Sequence, residues 1–175
     1  MSVIHNVQQE AGERDVDNDQ HRVLFQGVLK NFRIIFRSVQ NYSRQVEKET
    51  GVSSAQLWML WELGNEPGLT VSRLANVLSI HQSTCSNMLD KLQQKGLICR
   101  ERNSSDQRIV RLFLTGSGTA LLGKAPRPAQ GVLADVLLRL PGTALVELDS
   151  GLGQLVSALK IKNKEDGKIP IAGTE

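Results

Sequence analysis

Residues 70–115 read TVSRLANVLSIHQSTCSNMLDKLQQKGLICRERNSSDQRIVRLFLT, and the spacing of their apolar residues changes part-way along. As far as Gly96 the spacing is helical, first in a short segment capped by Thr70 and then from Gln82 to Gln94. Two short helices joined by a tight turn have the outline of a helix-turn-helix. After Gly96 two strand-like runs, 97–102 and 108–114, are separated by turn-forming residues, which predicts a β-hairpin. A hairpin directly after a helix-turn-helix is a wing.

The segment before this module is predicted to be one long helix. Apolar residues recur at helical spacing from about 19 to 49, and Gly51 follows as a C-terminal cap. Ser53, with Gln56 three residues later, has the sequence of a capping box that opens a shorter helix. Residues 1–18 are polar, acidic and without period, and are therefore expected to be disordered or loosely docked.

The segment after the hairpin is also predicted to be helical. Thr115 has a capping side chain, and an apolar face continues to Leu140, although Pro126 and Pro128 should split it. A last amphipathic helix is expected from Thr143 to about residue 161, and residues 162–175 form a tail.

These patterns predict a mostly α-helical chain with a small β-hairpin. A winged helix-turn-helix lobe over 52–115 is expected between long N- and C-terminal helices, at 19–51 and 116–161. Only 4% of the 175 residues are aromatic, so the core depends on aliphatic side chains, which suits packed helices.

The charge of the chain is unevenly distributed. Residues 1–20 carry a net charge of −4 and residues 70–115 a net charge of +4, as expected of a nucleic-acid surface with an acidic tail. Cys85 and Cys99 do not form a metal-ligating pair, so neither a metal nor a cofactor is predicted. No secretory signal and no apolar stretch long enough for a membrane span is present, so a cytoplasmic location without membrane contact is the default.

The predicted second helix of the helix-turn-helix has two different faces. Cys85, Met88, Leu89 and Leu92 form an apolar stripe. The first two turns of the opposite face hold short hydroxyl and amide side chains, which can bond to base edges and phosphates in the major groove. On the helix alone, a merely solvated polar face is an equally good interpretation. The basic hairpin that follows favours DNA, because its arginines can clamp phosphates or enter the minor groove. The predicted DNA-contacting residues are Gln82, Ser83, Thr84, Ser86, Asn87, Lys91, Arg102, Asn103, Ser104, Gln107 and Arg108.

Several conspicuous residues have a structural interpretation. Cys85 is expected to fill the core beneath the recognition helix, which is the predicted helix from Gln82 to Gln94. Arg100 can form an ion pair with an acidic neighbour. Trp58 and Trp61 favour core packing, although one of them can line a pocket. His81 lies at the turn, where it can approach a phosphate.

The sequence resembles the MarR (multiple antibiotic resistance regulator) family. The similarity lies in GLTVSRLA (68–75), STCSNMLDKL (83–92) and GLICR (96–100), with DQR (106–108) at the position of the wing signature. The resemblance implies an obligate homodimer, joined by the first helix and the last two, that binds a palindromic double-stranded operator. It also implies a repressor that releases DNA when a small, often phenolic, effector occupies a crevice beside the dimer helices.

Two positions depart from the family pattern. Gln107 stands where the wing usually has a second basic residue, and Asn87 stands where a basic residue is common, so contacts and base preference should differ. The family's peroxide sensors carry a reactive cysteine in the first helix, and residues 19–49 contain none.

Two other classes of function are less consistent with the sequence. A winged helix used for protein–protein docking without DNA is the main alternative, and the polar recognition face and basic wing disfavour it. An enzyme is disfavoured because the sequence has no catalytic carboxylate pair, phosphate-binding glycine loop or nucleophile motif.

Overall fold

The structure is a computed structural model that describes the backbone of residues 2–102, 109–159 and 167–170, with side chains from residue 18 onward within those ranges. These ranges hold seven α-helices and one two-stranded antiparallel sheet, which confirms the predicted fold class. The elements in chain order are α1 (Ser2–Thr50), α2 (Ser54–Asn65), α3 (Val71–Val77), α4 (Gln82–Gln94), β1 (Ile98–Arg102), β2 (Val110–Leu114), α5 (Gly116–Lys124), α6 (Val132–Arg139) and α7 (Gly142–Ala158). The chain divides into two compact units, residues 1–38 and 39–175.

The first unit is the N-terminal part of α1. The helix begins at Ser2, whereas the sequence predicted a start near residue 19 after a disordered segment. Residues 2–18 contain no proline and several good helix formers, so the backbone can continue as a helix even where no apolar face is present. The sequence prediction used apolar spacing, which does not report backbone propensity. The side chains of residues 1–17 lie outside the described part of the chain, and the division into domains stays a prediction.

The second unit contains the buried core. The end of α1 contributes Tyr42 and Val46, and α2 contributes Leu57, Leu60 and others. Its largest fully buried side chains are Leu57, Met59, Leu60, Leu63, Leu74, Leu89, Leu92, Leu112, Val46, Val52 and Cys85. The core is thus aliphatic, as the composition predicted, and it joins α2, α3 and α4 to the hairpin.

Local capping chemistry sets the helix boundaries of this unit. Ser53 and Gln56 form the predicted capping box of α2. The side chains of Thr70 and Thr115 accept hydrogen bonds from backbone N–H groups three residues on, at the starts of α3 and α5. Gly51 ends α1 with φ of 70°, a left-handed conformation that favours glycine. Each of these boundaries agrees with the sequence prediction.

The hairpin is paired in a single register and joined to the helical lobe. Ile98 lies opposite Leu114, and Arg102 lies opposite Val110. Leu112, which is fully buried, exchanges backbone hydrogen bonds with the segment before α3: its N–H donates to the Leu69 carbonyl at 3.0 Å. The base of the wing is therefore fixed to the start of the helix-turn-helix.

The predicted split of the C-terminal helical region is present. The structure has α5 and α6 on either side of Pro126 and Pro128, and neither proline lies inside a helix. The last helix ends at Ala158, slightly before the predicted end at residue 161, and residues 160–166 lie outside the described part of the chain.

Candidate nucleic-acid interface

The helix α4 presents its polar residues on the face opposite the core. Cys85, Met88, Leu89 and Leu92 are buried, as the helical spacing predicted. On the other side of the helix, Thr84 and Ser86 are half-buried. The exposed side chains there include Gln82, Ser83, Asn87 and Lys91. The structure thus brings six of the predicted DNA-contacting side chains onto one helix, five of them within its first two turns.

The start of α4 is favourable to an anion. Its first turn contains no acidic residue, and Gln82 and Ser83, the first two residues of the helix, are exposed. The N-terminus of a helix carries a partial positive charge from its aligned peptide dipoles and its unpaired N–H groups. A phosphate at this end would therefore find favourable backbone electrostatics beside side chains that can read bases.

The wing arginines have different roles. Arg102 is exposed at the end of β1 and can reach solvent or a phosphate. Arg111 donates a hydrogen bond to the Gly68 carbonyl at 3.1 Å, so its guanidinium contributes to the attachment of the hairpin. The predicted contacts Asn103, Ser104, Gln107 and Arg108 lie outside the described residues, and their part in the site stays a prediction.

The recognition helix and the wing are linked by an ion pair. Arg100 Nη1 on β1 lies 2.6 Å from Asp90 Oδ1 on α4, as the sequence suggested for this arginine. Both side chains are partly exposed, so the pair adds little stability in water. The pair instead fixes position: it connects β1, which leads to Arg102, with α4, which carries Asn87.

The burial of Cys85 disfavours reactive chemistry at its thiol. Cys85 is fully buried, and burial raises the pKa of its thiol to about 11, so the thiol stays protonated near neutral pH. Within the part of the chain that the structure describes, no group of histidine, cysteine and acidic residues could hold a metal ion.

A cavity of about 260 Å³ lies in the second unit, close to the start of α4. Its walls come from α1, α2, the α3–α4 turn, α6 with the residues before it, and residues 167–170. None of the described residues that line it is charged. Three of the polar side chains on its walls bond to other protein groups: Tyr42 Oη donates to the Pro128 carbonyl at 2.5 Å, and Ser43 Oγ lies 3.1 Å from Ser54 Oγ. A neutral and mainly apolar molecule is therefore the kind of ligand that this space suits.

The sequence did not identify this cavity. Trp58, which it suggested as a pocket residue, is on the wall, and its indole N–H donates to Glu62 Oε1 at 2.7 Å. The other lining residues come from segments far apart in the chain. No local pattern in those segments distinguishes lining a cavity from packing in the core.

Two apolar surfaces are exposed, one in each unit. In the first unit, apolar side chains of α1 are 36% to 69% exposed, and they include Leu24, Phe25, Val28, Leu29, Ile35 and Phe36. In the second unit, one face of α7 exposes Leu148, Leu152, Leu155, Val156 and Leu159. Contiguous exposed apolar side chains are typical of surfaces that associate with another molecule. Among the described helices, none is long and apolar enough to cross a membrane.

Comparison with known proteins gives consistent matches. The model of the MarR family matches residues 52–110, which hold α2, α3, α4, β1 and the first residue of β2. The HTH-type transcriptional repressor MdtR of Bacillus subtilis (strain 168) is 26% identical over 145 residues, which are 83% of this chain and 94% of that protein. The organic hydroperoxide resistance transcriptional regulator of the same organism is 35% identical over 107 residues, which are 61% of this chain and 69% of that protein. The crystal structure of the transcriptional regulator BldR from Sulfolobus solfataricus is similar with a TM-score of 0.50 and 27% identity, over 80% of this chain and 96% of that one. These relatives are regulators and not enzymes, as the sequence predicted for this chain.

Proposed function

The chain belongs to the MarR family of DNA-binding transcriptional regulators, and from this premise we propose that it is a homodimeric repressor released from a palindromic operator by a small neutral molecule. The observation that carries the proposal is the two-faced helix α4, with its core stripe buried and its amides and hydroxyls exposed beside the wing. The regulator MdtR, to which the chain is similar, is named as a repressor.

We assign recognition of the DNA base sequence to the first two turns of α4. Gln82 and Asn87 are exposed amides, which can bond bidentately to adenine in the major groove. Arg102 at the end of β1, with the loop residues that follow it, is assigned to phosphate or minor-groove contacts. In this arrangement the contacts of α4 determine which bases are preferred, and the contacts of the wing raise the affinity for DNA.

The proposed dimer covers the exposed apolar faces. An isolated chain would leave most of the α7 face and the α1 face in water, which favours association with a second copy. Two recognition helices must lie roughly 34–36 Å apart to enter successive major grooves. A dimer can provide that spacing, whereas a single lobe cannot.

The proposed effector site is the uncharged cavity. Ile80 is on its wall and directly precedes His81, the N-cap residue of α4. A ligand that binds better to one arrangement of this turn would shift the population of DNA-competent dimers. A phenol-like molecule in its neutral form suits the lining, because the aromatic ring fits apolar walls and the hydroxyl can bond to Ser43 or Ser54.

The DNA assignment is tested by selection of genomic fragments with the purified protein, followed by binding assays on the enriched fragment. Gln82→Ala should lower affinity for that fragment by about 1–3 kcal/mol and change the preferred base at one position of each half-site. Gln94→Ala is the matched control, since it removes the same amide from the exposed far end of α4. Equal effects of the two substitutions, or failure to enrich any fragment, would refute base reading by α4 and support a protein-docking role.

The dimer is tested by light scattering of the purified protein. Leu152→Glu places a charge in the apolar face of α7 and should produce monomers at micromolar concentration. Gln154→Glu adds the same charge on the opposite side of that helix and should leave the dimer intact. Monomeric wild-type protein at these concentrations would exclude the proposed assembly.

The effector is tested with phenol itself. In a Trp61→Phe background, phenol should change the emission of Trp58, which lines the cavity, and should release bound operator in the same concentration range. Release of operator without a change in Trp58 emission would place the effector elsewhere.

A further inference from the structure

The segment 167–170 returns to the lobe and contacts the start of the recognition helix. The backbone N–H of His81, the N-cap residue of α4, donates to the Lys168 carbonyl at 3.1 Å. Gly167, Ile169 and Pro170 also form part of the cavity wall. One short segment near the end of the chain therefore touches both the cavity and the DNA-reading helix.

The α3–α4 turn, which this segment contacts, depends on its surroundings. Ser79 has φ of 55°, in the left-handed region that a residue with a side chain keeps only where neighbouring contacts hold it. Within the turn the Ile80 N–H donates to the Ala75 carbonyl at 3.0 Å, and Leu78 and Ile80 are buried at the cavity. The bond from His81 to Lys168 adds a contact from outside the helix-turn-helix.

We propose that residues 167–170 act as an intramolecular strap that closes one side of the cavity and holds the start of α4 in its DNA-binding position. The inference rests on the proposed function for its regulatory consequence, but the contacts that carry it are independent of DNA. Because the strap belongs to the same chain, it competes with any molecule in the cavity at a high effective concentration. An effector that needs more room than the strapped cavity offers must displace residues 167–170. Displacement would remove the carbonyl that bonds to the His81 N–H.

The strap has a second effect on ligand affinity. A protein whose open form is a minor population binds its ligand more weakly, in proportion to that population. The strap would therefore set the threshold of effector concentration as well as the position of α4. Removing it should strengthen effector binding and weaken operator binding, which are opposite changes from one deletion.

The test compares two truncated chains that differ by the strap. One ends after Asp166 and lacks residues 167–175, and the other ends after Pro170 and lacks only residues 171–175. Hydrogen exchange should show the His81 amide exchanging about tenfold faster in the shorter chain. Acrylamide should quench Trp58 more strongly in the shorter chain, in a Trp61→Phe background. The operator affinity of the shorter chain should fall about three- to tenfold, as expected for one backbone hydrogen bond at the start of the reading helix.

The controls distinguish an effect of the strap from an effect of the Lys168 charge, and failure of the strap from failure of the proposed function. The two truncated chains differ by the charge of Lys168, so full-length Lys168→Gln is included, and it should keep slow His81 exchange because the bond uses the backbone carbonyl. Equal His81 exchange and equal Trp58 quenching in the two truncated chains would overturn the strap. Changes in both readouts with operator affinity equal within twofold would overturn its effect on α4. Absence of specific DNA binding by the full-length chain would contradict the proposed function and leave the exchange and quenching results unaffected.

Discussion

Gly118, in the first turn of α5, provides a sharp test of how the hairpin is attached to the lobe. A Cβ atom built at this buried glycine would overlap the carbonyl oxygen of Leu97 and touch the Leu114 side chain. The Leu97 oxygen has little freedom to move away, because it accepts the backbone N–H of Thr115 at 3.1 Å. Gly118→Ala must therefore displace the backbone at the base of the wing.

The expected cost follows from three contributions. Overpacking costs about 1–3 kcal/mol, and weakening the hydrogen bond to Leu97 costs about 1 kcal/mol. Alanine regains about 0.5–1 kcal/mol over glycine in a helix. The net expectation is a loss of about 2 kcal/mol in the free energy of unfolding. Gly123→Ala, in the same helix, has nothing within 4 Å of the new Cβ and should gain about 0.5–1 kcal/mol.

The assay is urea unfolding of the wild type and the two variants, followed by tryptophan fluorescence at one fixed protein concentration, since the stability of the proposed dimer depends on concentration. The midpoints of the two variants should move in opposite directions from the wild type. Gly118→Ala should also weaken operator binding, because Leu97 lies between α4 and β1. If Gly118→Ala were as stable as Gly123→Ala, the close packing of α5 against Leu97 would be refuted.

Three further predictions concern the lobe. Asp90→Asn removes the ion pair with Arg100 and should cost less than about 1 kcal/mol of unfolding free energy, because both groups are partly exposed. The affinity of this variant for the operator should nevertheless fall. Unchanged operator binding would show that the pair does not position the wing. Burial raises the pKa of the Cys85 thiol from 9.0 to about 11, so below pH 9 the thiol is neutral in both states, and between pH 9 and 11 only the unfolded chain loses the proton. The unfolding free energy of the wild type should therefore fall over that range more steeply than that of Cys85→Ala, and parallel curves would contradict the shift. Tyr42→Phe loses the hydrogen bond to the Pro128 carbonyl and should lower the unfolding free energy by about 1 kcal/mol in the same urea assay, whereas equal stability would show that water replaces the hydroxyl.

The parts of the fold that the sequence predicts are those set by local chemistry. The hydroxyls of Ser53, Thr70 and Thr115 cap helices through hydrogen bonds to residues three positions later in the chain. A short stretch of sequence is therefore enough to predict each of these boundaries. The stripe from Cys85 to Leu92 follows from the helical period alone. These signals predict α4 and the hairpin without reference to any tertiary contact.

The remaining features depend on contacts between distant segments. The bond from His81 to Lys168 and the cavity beside it join parts of the chain that share no local pattern. Arg111 illustrates the same limit, because no local pattern in the sequence indicates that its guanidinium bonds to the Gly68 carbonyl. The start of α1 differs from the prediction for another reason: the prediction used apolar spacing, whereas the backbone is helical from Ser2 onward.

The division of α4 into a packed face and a proposed reading face has a consequence for how such a regulator can diversify. Gln82, Ser83 and Asn87 are exposed and lie outside the core, so substitutions there should change unfolding free energy by less than about 0.5 kcal/mol. New operator preferences can therefore arise by single substitutions without compensating changes in the core. For an engineer, these three positions can be randomised in a library while the core of the lobe and the cavity stay intact.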